Sequence, residues 1–401
     1  MSAWSLEAIY AVPVAQDDSD IALTVTHTVT ETATAQSATA TSVKTLLVQA
    51  VADAPTVSTT DQVLNVDATI NLSAAISSGV TDTDGSESQT YTVTGIPVGS
   101  TIMNGGTPVT ISAGSATFNA GDLSNITFTP PSSFAGTIAL SVSSTTTEAA
   151  NGDQVSVKTA TSAAQALNLL VNGAPVANND TGATTENASI SVTSAAAGLI
   201  QDNDTDPNSG QTLTITAVNG GGANVGSSVA GSNGGSFTVN ADGTWSFDPG
   251  TGFDDLAAAA TRTTSLTYTL SDPQGLTDTA TLTVTVTGTN DAAVITGTAS
   301  GSVTEDVAVS SDDITVSATL SATDIDGPNS FTAGTQAGTY GALAITSAGV
   351  WTYTVDNTQA AVQGLAAGES LSETFTVGAV DGTTQIISVS IYGTNDRPVA
   401  V

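Results

Sequence analysis

The chain has no cysteine and very few basic residues. Without cysteine it can form neither disulfide bonds nor thiolate metal sites. Four lysines and arginines stand against 37 aspartates and glutamates, and the formal net charge is −33. Nucleic acid is therefore not an expected partner, because phosphate binding requires clusters of basic side chains. No apolar run reaches the roughly 18 residues of a transmembrane helix, so we expect no membrane insertion.

A recurring phrase divides the chain into modules. Gly-Thr-Asn-Asp occurs at 288–291 and at 393–396, and weaker echoes stand at 52–55 and 172–175. Repetition at roughly 110 residues indicates a tandem array of one module type. The predicted boundaries are 53–172, 173–290 and 291–396 for three full modules, 1–52 for the C-terminal part of a truncated module, and 397–401 for the start of the next linker.

Alternation of apolar residues with threonine or serine is the dominant local pattern. Between 281 and 287, threonines alternate with Leu282, Val284 and Val286. This period of two is typical of antiparallel strands with one buried face. Only 255–261 and 359–367 favour helix. We therefore predict an all-β chain of Greek-key or immunoglobulin-like β-sandwich modules, arranged as an elongated array.

Acidic residues recur at similar distances from the repeat markers. Each full module has an acid near its first strand, then an Asp-x-Asp pair, and an Asn/Asp pair or its echo at its end. A further acid recurs late in the second and third modules. The candidate ligands for a cation are Asp82, Asp84, Glu186, Asp204, Asp206, Asp272, Asn290, Asp291, Glu305, Asp324, Asp326, Asp381, Asn395 and Asp396.

Calcium is the cation that these residue types favour. Neighbouring carboxylates repel each other unless they are protonated or bridged by a cation. Ca²⁺ takes six to eight oxygen ligands from flexible loops, whereas zinc and copper prefer cysteine and histidine. The alternative is that aspartate, asparagine and glycine simply form turns. Recurrence in three modules favours calcium at the Asp-x-Asp pairs.

Several phrases resemble known bacterial modules. Gly-Ser-Val-Thr-Glu-Asp at 301–306, Ala-Thr-Asp-Ile-Asp-Gly at 322–327 and the closing Gly-Thr-Asn-Asp make 288–396 similar to a VCBS repeat. Ala-Pro-Val-Ala-Asn-Asn-Asp at 174–180 and Asp-Asn-Asp-Thr-Asp-Pro at 202–207 make 173–290 similar to the related bacterial cadherin-like module. Residues 53–172 resemble both only loosely, and Gly173 replaces the marker aspartate there.

This resemblance implies a location and a role. Such modules belong to giant RTX-type adhesins that are exported by type I secretion, and like cadherin repeats they place Ca²⁺ at or near the linkers between modules. We therefore expect a calcium-stiffened extender on the bacterial cell surface, which projects a distal region for adhesion and biofilm formation. The expected partners are the neighbouring modules of the same chain. Cell-surface or polysaccharide ligands would bind regions outside it.

Other signals point to alternatives. Trp245 and Trp351 follow matching glycines, and could form the stacking platform of a carbohydrate-binding module. A third possibility, an accessory domain of a secreted hydrolase, would need a catalytic domain outside these residues. An aromatic residue two positions after each tryptophan favours the sandwich core instead. Asp180-Thr181-Gly182 spells the aspartic-protease triplet, but that chemistry needs two copies and only one is present. We predict no enzymatic activity.

Overall fold

A computed structural model describes residues 10–14, 19–49, 51–81, 85–149 and 158–395. The candidates Asp82, Asp84 and Asp396 lie outside the described residues. The chain separates into two compact units. The first consists of Met1–Pro175 with the loops Asp206–Thr212 and Asp272–Leu276; the second consists of Val176–Thr205, Leu213–Ser271 and Thr277–Val401.

The first unit contains fourteen strands in its described part. They are β1 (Ile21–Thr30), β2 (Ser37–Leu46), β3 (Thr56–Thr59), β4 (Gln62–Asn65), β5 (Ile70–Asn71), β6 (Ile76–Gly79), β7 (Glu87–Thr94), β8 (Thr101–Asn104), β9 (Thr107–Pro108), β10 (Ser115–Asn119), β11 (Ile126–Thr129), β12 (Gly136–Glu148), β13 (Thr159–Thr161) and β14 (Gln165–Asn172). Short 3₁₀ turns span Leu72–Ala74 and Ala120–Asn125. Among the strands of the described residues, β1 and β2 pair only with each other.

Two facing sheets enclose the core of the first unit. One has the order β10-β7-β12-β14-β4, with β13 also paired to β12, and the other has the order β5-β11-β8-β9. Strands β3 and β6 form a further pair. Val93, Phe128 and Leu169 are completely buried in the core that the two larger sheets enclose. The hairpin β1–β2 is mostly exposed on both strands.

The described part of the second unit contains sixteen strands and two short helices. The strands are β15 (Asp180–Thr185), β16 (Ile190–Val192), β17 (Thr214–Val218), β18 (Ser228–Ala230), β19 (Ser236–Val239), β20 (Trp245–Asp248), β21 (Thr261–Ser271), β22 (Thr277–Thr287), β23 (Val294–Gly297), β24 (Ser300–Thr304), β25 (Asp313–Thr323), β26 (Gly334–Ala337), β27 (Gly341–Ile345), β28 (Val350–Asp356), β29 (Ser370–Gly378) and β30 (Thr384–Tyr392). The helices are α1 (Leu199–Asn203) and α2 (Ala360–Gln363), and 3₁₀ turns span Ala195–Ala197 and Gly222–Asn224.

The second unit has two cores, one for each later sequence repeat. Sheets β15-β22-β21-β17 and β16-β20-β19-β18 enclose one, and sheets β23-β25-β28-β27-β26 and β24-β30-β29 enclose the other. The all-β prediction is confirmed. Of the two helix predictions, 359–367 contains α2, whereas 255–261 forms turns and the start of β21.

Alternation along the strands explains the sandwich. In β22, Leu282, Val284 and Val286 are buried, while the intervening threonines are half-buried. Trp351 is completely buried, and its Nε1 donates to the carbonyl oxygen of Thr298 at 2.8 Å. Trp245 is also buried. The prediction that both tryptophans belong to the core is confirmed, and neither can serve as a sugar-stacking platform.

An early strand and the last strand of each repeat pair in parallel. These pairs are β4 with β14, β15 with β22 and β24 with β30. Each pair continues into one further backbone bond: the amide of Val66, Glu186 or Glu305 donates to the carbonyl of Asn172, Thr287 or Tyr392, at 2.9, 3.0 and 3.0 Å respectively. The topology therefore fixes the residue after the early strand beside the end of the repeat.

Candidate metal centres

A buried glutamate occupies that fixed position in the second and third repeats. Glu186 is 2% exposed and Glu305 is 0% exposed. The backbone amide of Thr289 donates to Glu186 Oε1 at 2.6 Å, and that of Thr394 donates to Glu305 Oε1 at 2.7 Å. Both threonines come from the Gly-Thr-Asn-Asp phrase. The phrase therefore recurs because its threonine holds a glutamate that lies more than 80 residues earlier in the chain.

The glycine of the phrase is needed for a close approach. A Cβ on Gly288 would lie 2.4 Å from the carbonyl oxygen of Leu256, and one on Gly393 would lie 2.5 Å from that of Leu365. No side chain fits at such distances. The phrase Gly-Thr thus passes tightly over the preceding loop and presents its amide to the glutamate.

The second oxygen of each glutamate has no partner. Glu186 Oε2 and Glu305 Oε2 are buried and receive no hydrogen bond, and the same holds for Asp324 Oδ2. A buried, unsatisfied carboxylate oxygen is costly. The one salt bridge between described residues joins Arg262 to Asp255, so no described basic side chain neutralises these groups. Buried negative oxygens without donors are the kind of site that a bound cation satisfies.

Four acids interact with Asp291 through their charges or a hydrogen bond, and with it they form what we call the linker cluster: Glu186, Asp254, Asp291, Asp324 and Asp326. The amide of Asp291 donates to Asp326 Oδ1 at 3.3 Å, and the amide of Asp326 donates to Asp324 Oδ1 at 3.2 Å. Burial, together with the charges of Glu186, Asp254 and Asp324, raises the pKa of Asp291. Burial, the hydrogen bond with Asp324 and the charges of Asp324 and Asp291 raise the pKa of Asp326. The cluster is therefore a region of mutual repulsion.

The marker residues of the three repeats share one contact. The amides of Asp53, Gly173 and Asp291 donate to side-chain oxygens of Glu87, Asn208 and Asp326, at 2.8, 2.8 and 3.3 Å. The acceptors lie 34, 35 and 35 residues after their markers. Asp206 and Asn208 in the second repeat therefore correspond to Asp324 and Asp326 in the third.

Asp204 has different partners from Asp206. Asp204 Oδ1 accepts from the amide of Asn178 at 2.7 Å, and the hydroxyl of Tyr268 donates to Asp180 Oδ2 at 2.8 Å and lies 3.3 Å from Asp204 Oδ2. Burial raises the pKa of Asp180 to about 6; the Tyr268 hydrogen bond opposes this, and the charges of Asp204 and Asp202 add to it. Asp206 instead accepts from the amide of Asn208 at 2.7 Å.

The late acids lie in the loops before the last strands. Asp381 Oδ2 accepts from the amide of Ala293 at 2.9 Å, and this bond, followed by those from Thr383, lowers its pKa. Asp272 Oδ1 accepts from the amides of Gln274 and Leu276 at 2.9 and 2.8 Å. Both acids thus hold backbone in place and have fewer oxygens open to a cation than Glu186 has.

The two linker asparagines are exposed. The side-chain amide of Asn290 donates to the carbonyl oxygen of Asp291 at 3.0 Å. Asn395 directly follows Thr394, the residue that holds Glu305. Each asparagine therefore lies one residue away from the amide that binds the buried glutamate.

Two acids outside the predicted set belong to these regions. Asp254 lies in the loop that precedes β21, and its negative charge contributes to the raised pKa of Asp291. Glu148 is 1% exposed, its Oε1 has no hydrogen-bond partner, and it pairs in register with Glu87 across β12 and β7. Neither acid belongs to an Asp-x-Asp pair or to a marker phrase. A search for buried acids at strand ends would have found Glu148.

No three histidine or acidic side chains in the described part of the chain already form a metal shell. The acids of the linker cluster therefore interact through their charges, but their oxygens do not converge on a single point. Nor does the described chain contain a helix long and apolar enough to cross a membrane.

Comparison with known proteins identifies the family. The model of the bacterial cadherin-like domain matches residues 172–288 and 290–393, which is more than half of the chain. The chain therefore belongs to the bacterial cadherin-like domain family, whose members are adhesion modules and not enzymes. No curated protein matches the sequence.

Solved structures with similar architecture come from animals and bacteria. The chain is similar to PcdhgB3 EC1-4, with 12% identity and a TM-score of 0.47 over 94% of this chain and 83% of the other. It is also similar to Drosophila N-cadherin EC1-4, with 14% identity and a TM-score of 0.36 over 94% and 84%. A Ca²⁺-stabilised adhesin that helps an Antarctic bacterium bind ice gives 19% identity and a TM-score of 0.27 over 94% and 82%.

Proposed function

We propose that the chain is a calcium-stiffened extender segment of a secreted bacterial surface adhesin. In this role it projects a distal ligand-binding region for cell adhesion and biofilm formation. The proposal includes its identification with VCBS-containing RTX adhesins and export by type I secretion. Family membership supports the adhesion role, and the strongly acidic composition, with 37 acids against four basic residues, supports a calcium-rich extracellular setting.

One observation supports calcium most directly. Glu186 Oε2 and Asp324 Oδ2 are buried carboxylate oxygens without a hydrogen-bond donor, on either side of the linker residue Asp291 in sequence. Calcium is a hard cation that takes six to eight oxygens and accepts carboxylate, amide and carbonyl ligands together. The donor set of the linker cluster fits this preference, since it contains only oxygen ligands.

The residues proposed to hold the ion are the five acids of the linker cluster, with the side-chain oxygen of Asn290. A bound calcium would supply the positive charge that these buried carboxylates lack. The protein's own part is to hold Glu186 through Thr289 and to set Asp324 beside Asp326 through the backbone. Glu305 and Asn395, with Asp396, are proposed to form the equivalent site at the next linker.

The remaining predicted ligands are proposed in weaker roles. Asp381 and Asp272 would act mainly through the backbone that they hold. Asp204 and Asp206 would not share an ion, because their hydrogen-bond partners differ. Asp82 and Asp84 stay a proposal from their spacing alone.

Calcium binding at such linkers is expected to be weak and to depend on location. Extracellular calcium modules have dissociation constants of about 10⁻⁴ to 10⁻³ M. Where calcium is scarce, the acids of the linker cluster repel each other and the linker is less stable. Outside the cell, binding to the folded form alone stabilises it by mass action.

Calorimetry tests the proposal. The melting temperature of the full chain is measured with EDTA, with magnesium and with rising calcium at constant ionic strength. We expect calcium to raise it at millimolar concentration and magnesium to raise it less, because magnesium keeps its water ligands. Identical melting curves in EDTA and in calcium would rule the proposal out.

A further inference from the structure

The first unit lacks the buried glutamate that defines the later linkers. The backbone bond from Val66 to Asn172 is the same bond that Glu186 and Glu305 make with the last strands of their repeats. Valine occupies the glutamate position in this unit, and its side chain has no oxygen that could bind a cation.

The connection after the last strand is also shorter here. Asn172 ends β14, and the next residue, Gly173, already donates its amide to Asn208 Oδ1 at 2.8 Å. In the later linker, Thr287 ends β22 and Asp291 makes the corresponding bond to Asp326. The intervening Gly-Thr-Asn, which supplies the amide that holds Glu186, therefore has no counterpart after Asn172.

Gly173 cannot readily be an aspartate in this arrangement. A Cβ on it would lie 3.1 Å from Cγ of Pro207 and 3.3 Å from Cβ of Ala135. These contacts are tighter than ordinary van der Waals distance, and both neighbours are small or rigid. The packing around Gly173 therefore leaves little room for the side chain that carries the carboxylate at the other markers.

Side-chain amides take the place of the missing carboxylates. Asn172 is 0% exposed, and its Nδ2 donates to Asp272 Oδ2 at 2.6 Å. Gln211 Nε2 donates to Asn172 Oδ1 at 2.9 Å, and Asn208 Nδ2 donates to the carbonyl oxygen of Val171 at 2.8 Å. We call Asn172, Gly173, Asp206, Asn208, Gln211 and Asp272 the Asn172 cluster; all six lie within the first unit.

The charge of Asp272 is already satisfied inside this cluster. Its two oxygens accept from Asn172 Nδ2 and from the amides of Gln274 and Leu276. Hydrogen bonds to a charged acceptor are roughly twice as strong as neutral ones. An N–H donor that points at a carboxylate also occupies the position where a cation would have to lie.

Too few oxygens remain for calcium. The cluster has two carboxylates against five in the linker cluster, and both oxygens of Asp272 already accept hydrogen bonds. Its buried oxygens without a hydrogen-bond donor are Asp206 Oδ2 and Gln211 Oε1, and the second belongs to a neutral amide. Calcium requires six to eight oxygen ligands. The residues of the Asn172 cluster therefore do not fit the ion that the family implies for its linkers.

We infer that the Asn172 cluster is a calcium-independent joint, held by side-chain amides, in a chain whose later linkers depend on calcium. It keeps the loops 206–212 and 272–276 on the end of β14 whether or not calcium is present. The contrast with the later linkers rests on the proposed function, but the amide contacts themselves do not.

Hydrogen exchange of the full chain, read by mass spectrometry on peptides, tests the inference. Protection is compared in millimolar calcium and in EDTA for peptides covering 165–176 and 206–212 and for peptides covering 288–293 and 322–329. We expect the first pair to be unchanged and the second pair to lose protection in EDTA. If both pairs lose protection, the inference is overturned and the proposed function stands. If neither changes, the proposed function fails and the calcium independence of the Asn172 cluster is supported.

A variant decides whether the amides hold the joint. Asn172→Ala should speed exchange of 206–212 and 272–276 about tenfold or more, equally in calcium and in EDTA, because a buried bond to a charged acceptor is lost. Asn119→Ala is the control, since Asn119 is exposed and its side-chain amide donates to Asp122 Oδ2 at a long 3.4 Å. Unchanged exchange in Asn172→Ala would overturn the inference. If the variant unfolds altogether, Gln211→Ala removes one outer donor of the same cluster and should give a smaller effect in the same two loops.

Discussion

Replacing Glu186 by glutamine should change stability in opposite directions with and without calcium. Glutamine keeps an oxygen that accepts from Thr289, but it replaces the buried, unpartnered Oε2 with a neutral amide. In EDTA the variant removes one negative charge from beside Asp291. We therefore expect a gain of about 1 kcal/mol in the free energy of unfolding, the scale of an unsatisfied buried polar group.

In calcium the sign reverses. At a calcium concentration about 100 times the dissociation constant, binding stabilises the wild-type fold by about 2.7 kcal/mol. If losing one carboxylate weakens binding about 100-fold, the same relation leaves about 0.4 kcal/mol to the variant. The variant also keeps its gain of about 1 kcal/mol from the removed charge. The expected net deficit in calcium is thus about 1 kcal/mol, which corresponds to a decrease in melting temperature of a few degrees in a domain of this size.

The assay is differential scanning calorimetry of both proteins in EDTA and in calcium. Glu31→Gln is the matched control, because it removes one charge at an exposed position. It should shift the melting temperature little in either condition. A shift of the same sign for Glu186→Gln in both conditions would refute the reasoning, since it would show that the carboxylate acts only through packing or hydrogen bonding.

Three further substitutions test other parts of the structure. The pKa of Asp180 is raised from 3.8 to about 6, so the folded state binds this proton more tightly than the unfolded state does. The free energy of unfolding of the wild type in EDTA should therefore decrease as the pH rises from about 4 to 6. Urea titrations of Asp180→Asn should show a flatter dependence on pH. Glu373→Gln should cost about 2–4 kcal/mol in chemical denaturation, because Glu373 accepts from the hydroxyl of Tyr353 at 2.6 Å and from three successive amides at the start of β27. Gly288→Ala should cost about 1–3 kcal/mol through its contact with the Leu256 carbonyl, whereas Gly121→Ala, with no atom near its added Cβ, should leave the melting temperature unchanged.

The strands could be predicted because their signal is local. Threonine alternates with leucine and valine along β22, and burial follows that alternation residue by residue. The tryptophans could be placed in the core for the same reason, since their neighbours two positions on are aromatic and buried too. Helix α1 was not predicted, because its five residues are too few to show a helical period.

The candidate site was harder to predict because its proposed ligands come from distant segments. Glu186 was found through its recurring distance from the marker, but Asp254 has no such recurrence and reaches the cluster only through the fold. Counting acids alone also matched Asp204 and Asp206 with Asp324 and Asp326. The constant distance of 35 residues from Gly173 to Asn208 and from Asp291 to Asp326 would have corrected this, had asparagine been counted with aspartate.

Under the proposed function, calcium dependence in this chain would be decided by a few side chains on a backbone arrangement that all three repeats share. The bond from the residue after an early strand to the end of the last strand is the same in all three repeats. Where that residue is glutamate and a Gly-Thr-Asn linker follows, an oxygen is left buried and open to a cation. Where it is Val66 and the linker is cut to Gly173, amide donors close the network on Asp272 instead. Under this proposal, one array can combine linkers that respond to calcium with linkers that do not, because the strands that form the shared backbone bond need not change.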